Sequence, residues 1–166
     1  MANLDLLVKA WDSAHWEFSL VFEGLSDADV WRRADPRLLS VGELAGHIAF
    51  WEAVGFLPAA AGGEVDVTKI AIKSPLVDRA FRYYTSSAGQ PAALKLSAAD
   101  VLKECKRVHE EAKVEFLKGS PDSEDPTPGG KMTYGQVLEY RAFHVAYHCG
   151  QAYSVRHLLG HTTTDN

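Results

Sequence analysis

The sequence predicts an all-α protein, a four-helix bundle with a long crossover between the second and third helices. Three observations carry this expectation. Four long segments place apolar residues at alternating spacings of three and four, the period of one buried helical stripe. Helix-capping patterns stand at the starts of two of them. Strand signals are weak throughout. No internal repeat and no boundary divides the chain, so residues 1–166 read as a single domain.

The first helix is expected from about Leu4 to Leu25, with Asn3 as its N-cap and a stripe of Leu4, Val8, Trp11, His15, Phe18, Phe22 and Leu25. The second begins at Ser40, where S-V-G-E forms a capping box between Ser40 and Glu43; its stripe is Val41, Leu44, His47, Ile48, Trp51 and Gly55, and Pro58 should stop it. The third opens at Ser97 with Asp100 in its first turn, where a carboxylate favours the helix dipole. Val101, Cys105, Val108, His109, Ala112 and Phe116 face inward, and Gly119 with Pro121 ends it. The fourth starts at Thr133 with a second capping box, Thr133 with Gln136, and carries Val137, Tyr140, Arg141, His144, His148, Gln151, Val155 and Leu158 on its inward face. Gly160 is placed for a left-handed C-terminal cap. In the crossover, Glu64 to Ile72 is the best strand candidate, and the stretch from Lys73 to Tyr84 reads as a short helix ending near Ser86.

Composition narrows the function classes. Seventeen Lys and Arg against 22 Asp and Glu give a net charge of −5, so nothing draws the whole chain to a phosphate backbone and no nucleic-acid partner is expected. The two cysteines, Cys105 and Cys149, form no spaced framework, which reads as a reduced, cytoplasmic protein. No basic leader precedes an apolar run at the N-terminus. The most apolar stretch, Val41 to Ala61, is broken by Glu43, His47 and Glu52, so no membrane partner is expected. Phosphate-loop, dinucleotide-binding and nucleophile-elbow motifs are absent, and H-E-E-A-K at His109 fails as a zinc-protease motif because Lys113 replaces the second histidine.

The chemistry rests on histidine. His144 and His148 stand four residues apart, hence one turn above another on one helix face. On that helix alone, two hydrogen-bonded core histidines and two metal ligands are equally good readings. His47 alone reads as a core histidine bonded to a carbonyl. Together the three make a facial set of neutral ligands that leaves coordination positions open, the layout of a catalytic rather than a structural metal site.

Residues 40–52, S-V-G-E-L-A-G-H-I-A-F-W-E, and 133–151, T-Y-G-Q-V-L-E-Y-R-A-F-H-V-A-Y-H-C-G-Q, resemble the DinB/YfiT-like family, and the H-x-G-Q at His148 to Gln151 is the most distinctive piece. The resemblance implies a four-helix bundle binding one divalent metal through His47, His144 and His148. It also implies an activity among thiol-dependent transferases, isomerases and metal-dependent hydrolases. The expected cofactors are therefore zinc, nickel or iron, with a low-molecular-weight thiol as a further candidate and a small molecule as substrate.

Around that site, His15, Gln151 and Tyr140 are the candidate pocket residues, with Gln151 placed to bond a metal-bound water. His15 or His109 could join as a fourth ligand, whereas His157 and His161 fall near the solvated helix end. Trp11 and Trp51 are candidate pocket walls; Cys149, rotated about 100° from His148, should not face the ion. No Asp or Glu is expected beside the ligands. The reading is a metal-dependent hydrolase or thiol transferase, the alternative a non-catalytic metal-binding bundle acting as sensor or scavenger. A homodimer through Trp16 and Leu20 of the first helix and packing within one chain fit the pattern equally.

Overall fold

The computed structural model describes residues 4–55, 67–83, 94–128 and 131–162. Four long helices carry the fold: α1, Asp5–Leu20; α3, Val41–Val54; α4, Ala98–Phe116; and α5, Tyr134–Leu158. A single-turn α2, Asp27–Val30, lies between the first two. No strand occurs among the described residues, only an isolated bridge between Pro126 and Thr133. Helix α1 packs chiefly on α5, and α3 packs on both α4 and α5. No described helix is long and apolar enough to cross a membrane.

The helix starts follow the sequence. Ser40 Oγ accepts from Glu43 N at 3.2 Å while Ser40 N donates to Glu43 Oε2 at 2.8 Å, a complete capping box. Thr133 and Gln136 make the same pair at α5, and Ser97 caps α4 by accepting from Asp100 N. The end of α5 is a Schellman motif: Gly160 at φ +91° donates to His157 O, and His161 N donates to Arg156 O.

Several boundaries and faces differ from expectation. Helix α1 ends at Leu20 and reaches Leu25 through turns, with Gly24 at φ +68°. Leu4 occupies its N-cap position; Asn3 and Pro58 lie outside the described residues, and α3 already ends at Val54. The expected strand is absent from the described part of its range: residues 67–69 form a 3-10 turn, while 64–66 lie outside the description. Within 73–83 the expected helix shrinks to a 3-10 turn at Arg79–Phe81. Helix α5 is rotated: its buried residues are Leu138, Arg141, Val145, His148, Cys149, Ala152, Val155 and Arg156, whereas Tyr140, Gln151 and Leu158 are exposed. Buried arginine accounts for part of this rotation. Arg156 donates to Val21 O and Glu23 O in the turn after α1 and to Thr162 O beyond the end of α5, tying these segments together.

Helix α3 is the centre of the molecule. Every residue from Val41 to Val54 except Trp51 is buried, so it has no solvated face. Two carboxylates are buried with it. Glu43, fully buried, accepts from Arg33 Nε at 2.8 Å, Arg33 Nη2 at 2.6 Å and Tyr83 OH at 3.0 Å, beyond its capping bond. Three charge-assisted or phenolic donors offset the desolvation of that carboxylate. The Tyr83 bond fastens this end of the crossover onto α3. Gly46 makes room for this segment, since a Cβ there would collide with the Phe81 ring. Gly46→Ala should therefore cost about 1–3 kcal/mol through overpacking, read as a lower urea midpoint; an unchanged midpoint would mean that Phe81 is not seated against the helix.

Candidate metal centre

Helix α3 contributes His47 and α5 contributes His144 and His148, the last two a turn apart. Their Nε2 atoms converge: His144 Nε2 lies 3.3 Å from His47 Nε2 and 3.1 Å from His148 Nε2. The rings meet at interplanar angles of 45°, 78° and 83°, so their in-plane lone pairs can aim at one point. Two nitrogens each about 2.1 Å from a common ion stand roughly 3.0 Å apart at a right angle and about 3.4 Å apart at the tetrahedral angle. The observed separations fall in that interval, and the three histidines form a group that can hold a metal ion.

The far side of the rings sets their protonation. His47 Nδ1 donates to Phe81 O at 2.9 Å, and His148 Nδ1 donates to the Gln151 side-chain oxygen at 2.7 Å. In the neutral rings each Nε2 then carries a bare lone pair, oriented as a ligating imidazole requires. His144 Nε2 faces both, and one hydrogen there can serve only one of them. Without an ion, at least one close nitrogen pair is left lone pair to lone pair. Burial lowers the pKa of His47 to about 4, against the pull of the Phe81 carbonyl. Burial, reinforced by His148 and His47, lowers that of His144 to about 3, and burial lowers His148 also. All three are neutral near pH 7.

The remaining candidates separate. Gln151 is exposed and holds His148 from behind, with its amide nitrogen donating to Tyr147 OH; it orients a histidine rather than facing the converging nitrogens. Tyr140, 50% exposed, stacks on His144 with ring centroids 5.9 Å apart. Cys149 is buried, its thiol pushed up to about 12 by burial, and it is not part of the histidine group that can hold an ion. His157 is exposed, whereas His161 donates to Asp29 at 2.9 Å rather than standing free in solvent. Trp16 is 63% exposed on α1. Two cavities flank the triad. One, of about 200 Å³, is bounded by His144, Trp51, Val137 and Tyr140; the other, of about 430 Å³, touches His47, His148, Tyr83 and Leu44.

His15 and His109 do not join this group. They form a second buried cluster around Glu52, five residues after His47 and only 2% exposed, which corrects the expectation that no carboxylate lies near the site. Glu52 Oε1 accepts from Trp11 Nε1 and His15 Nε2, both at 2.6 Å, and Oε2 lies 3.6 Å from His109 Nδ1. On its other side His109 Nε2 donates to Asp12 at 2.8 Å, which also accepts from Lys113. Burial alone would raise the Glu52 carboxyl, but His15 and His109 carry it well below the usual range. Burial opposes a charge on His109, but Glu52 and Asp12 outweigh it and raise its pKa. Trp11 is thus a core ring tied to Glu52 rather than a pocket wall, while Trp51 does line the smaller cavity. The His15 and His109 rings are stacked, 3.7 Å apart and 22° from parallel. Their in-plane lone pairs run side by side; the ligand atoms of His15, Glu52 and His109 lie close enough together to hold an ion, but Glu52 is already bonded to Trp11 and His15, and the cluster reads first as a buried hydrogen-bonded network.

The titration of these groups fixes a pH dependence. A histidine whose folded pKa is depressed stabilises the fold fully above its unfolded value near 6.5 and loses that contribution as pH falls toward the folded value. His47, His144 and His148 all act in this sense, His47 over the window from about 6.5 to about 4. Glu52, also depressed, adds a loss below the ordinary carboxylate range; His109, raised, opposes them by favouring the fold as pH falls. His15 is depressed by burial as well, so with four histidines against one the metal-free protein should lose stability steadily between pH 7 and pH 4, measured as thermal midpoint in matched buffers. A midpoint that rises over that interval would contradict neutral, buried imidazoles.

The family model described as the DinB superfamily matches residues 10–152, a span that includes all four long helices except the first residues of α1 and the last turns of α5. No curated protein and no solved structure matches the chain. With the match covering most of its length, the chain belongs to the DinB superfamily.

Proposed function

We propose that this protein is a metal-dependent enzyme of the hydrolase or thiol S-transferase type, acting on a small molecule. His47, His144 and His148 hold one divalent ion, zinc, nickel or iron, all of which accept imidazole. The observation that carries the reading is the convergence of three neutral Nε2 atoms at 3.1 and 3.3 Å between two cavities. Three neutral ligands leave the ion its full charge and open positions, where a structural zinc site would be closed by four. A bound divalent ion supplies Lewis acidity, lowering the pKa of a water or low-molecular-weight thiol and polarising an electrophile.

The chain's own residues do the positioning. Phe81 O and Gln151 fix the tautomers and ring orientations of His47 and His148, so both present an unprotonated Nε2 toward His144 Nε2. Trp51, Val137 and Tyr140 offer apolar walls that exclude water from one side of the site. No acidic side chain hydrogen-bonds the triad among the described residues: Glu52 accepts from Trp11 and His15, so a water or thiol acidified by the ion would release its proton to solvent and not to a carboxylate base.

Purified wild type should carry about one divalent ion per chain, and His148→Ala should lose most of it. A metal-free wild type after incubation with excess zinc, nickel or ferrous iron would overturn the proposal. Metal-loaded protein should then turn over a member of a panel of esters, amides and thiol–electrophile pairs, with His47→Ala at saturating metal reducing the rate at least a hundredfold. Full metal occupancy with no turnover across the panel would favour a sensor or scavenger.

A further inference from the structure

The larger cavity beside the triad, of about 430 Å³, is bordered by His47 and His148 and by the hydroxyls of Tyr83, Tyr147 and Ser154. Two of these hydroxyls are committed within the protein: Tyr83 OH donates to Glu43, and Ser154 Oγ donates to Gly150 O. Arg37, which also borders the space, is ion-paired with Asp35. Leu44 and Val155, both buried, give the cavity an apolar wall.

The third hydroxyl ends a chain of hydrogen bonds whose direction is fixed from the triad. His148 Nε2 faces His144 Nε2, and its Nδ1 donates to Gln151 Oε1 at 2.7 Å. That commits the amide oxygen, and the amide nitrogen donates to Tyr147 Oη at 3.2 Å. A phenol oxygen that accepts along this line keeps its own hydrogen for a different partner. Among the described residues no acceptor takes it. Tyr147 is 54% exposed, and its ring stands edge-on to His148 with centroids 5.0 Å apart, which sets the phenol beside a ligand at the border of the cavity. Hydrogen bonds linked head to tail polarise one another. With His148 on a divalent ion, Nδ1–H becomes a stronger donor, and the amide passes that polarisation on to the phenol hydroxyl.

We propose that Tyr147 donates a hydrogen bond to the substrate in this cavity, holding the oxygen of a carbonyl electrophile whose apolar body rests against Leu44 and Val155. This rests on the enzyme reading above and names for it a substrate class and a catalytic residue. As hydroxide or thiolate attacks the carbonyl carbon, a C–O or C–S bond forms and the C=O π pair moves onto the oxygen. The phenol bond strengthens as that charge grows. The pair then returns as the alcohol of an ester or the amine of an amide departs and takes a proton from solvent; Tyr147 keeps its own proton throughout.

The affinity of zinc-loaded protein for acetohydroxamate, a zinc chelator that presents a carbonyl oxygen, tests this through a double-mutant cycle. Tyr147 and Gln151 are both exposed, so their variants leave the core intact. Tyr147→Phe should weaken hydroxamate binding about tenfold, while zinc affinity (read by chelator competition) and the affinity for imidazole, which brings no oxygen, stay within about threefold. In a Gln151→Glu background the same change should cost almost nothing. There the carboxylate still accepts from His148 Nδ1 but also takes the Tyr147 hydroxyl hydrogen, turning it away from the cavity. Comparing Tyr147 with Phe inside that background cancels the added charge. Undiminished hydroxamate binding in Tyr147→Phe would overturn the proposal. An equal loss in both backgrounds would overturn it as well, because the direction of the hydroxyl hydrogen would then not matter. A loss shared with imidazole, or accompanied by loss of zinc, would make Tyr147 a support of His148 and sink the proposal too. A wild type that takes up no zinc would end the enzyme reading and this proposal together, whereas zinc uptake with any of those other outcomes ends the proposal alone.

Discussion

Holding three ring nitrogens together, His144 Nε2 within 3.3 Å of both others, with at least one pair lone pair to lone pair, is the constraint on which the rest of this structure depends. Neutral imidazoles in that arrangement repel unless something positive sits among them. The protein meets the constraint by rigidity. His47 lies on a helix buried on nearly every side, and its far nitrogen is tied to Phe81 O. The Phe81 carbonyl in turn depends on the contact of its ring with Gly46 and on the Tyr83 bond to buried Glu43. A capping box, a glycine and a salt bridge to Arg33 thus act at one remove on the orientation of a single histidine, the kind of support that ligating imidazoles require.

The second buried cluster does different work. Glu52 joins α3 to α1 through Trp11 and His15 and faces His109 of α4, while its backbone carbonyl meets Arg141 of α5. All four long helices therefore meet at one residue. Such a network is costly to break, since removing one partner strands the others without water. The two histidine clusters differ in ring geometry more than in composition: crossed rings focus lone pairs at a point, and stacked rings do not.

Much of this was legible in the chain. Ser40, Ser97 and Thr133 marked helix starts because their side chains bond amides only two or three residues on, an interaction local in sequence. The spacing of His144 and His148 put them on one face for the same reason. What remained hidden depends on distant partners. Glu43 and Glu52 look like surface charges, and only Arg33, Tyr83, His15 and His109, brought in from other elements, make their burial tolerable. The rotation of α5 was missed because Tyr140 and Leu158, expected inward, are exposed while Arg156 is buried; Arg141 does face inward as expected. Gln151 was placed on the correct helix at the correct spacing, yet its role as the support of His148 required knowing which way each ring nitrogen points.

The central claim is that His47, His144 and His148 bind one ion together, and X-ray absorption at the zinc edge of the zinc-loaded protein tests it most directly. The account predicts a first shell of nitrogen and oxygen only, at about 2.0–2.1 Å, with outer-shell scattering that fits three imidazoles. A shell containing sulfur at about 2.3 Å, or fewer than three imidazoles, would contradict it.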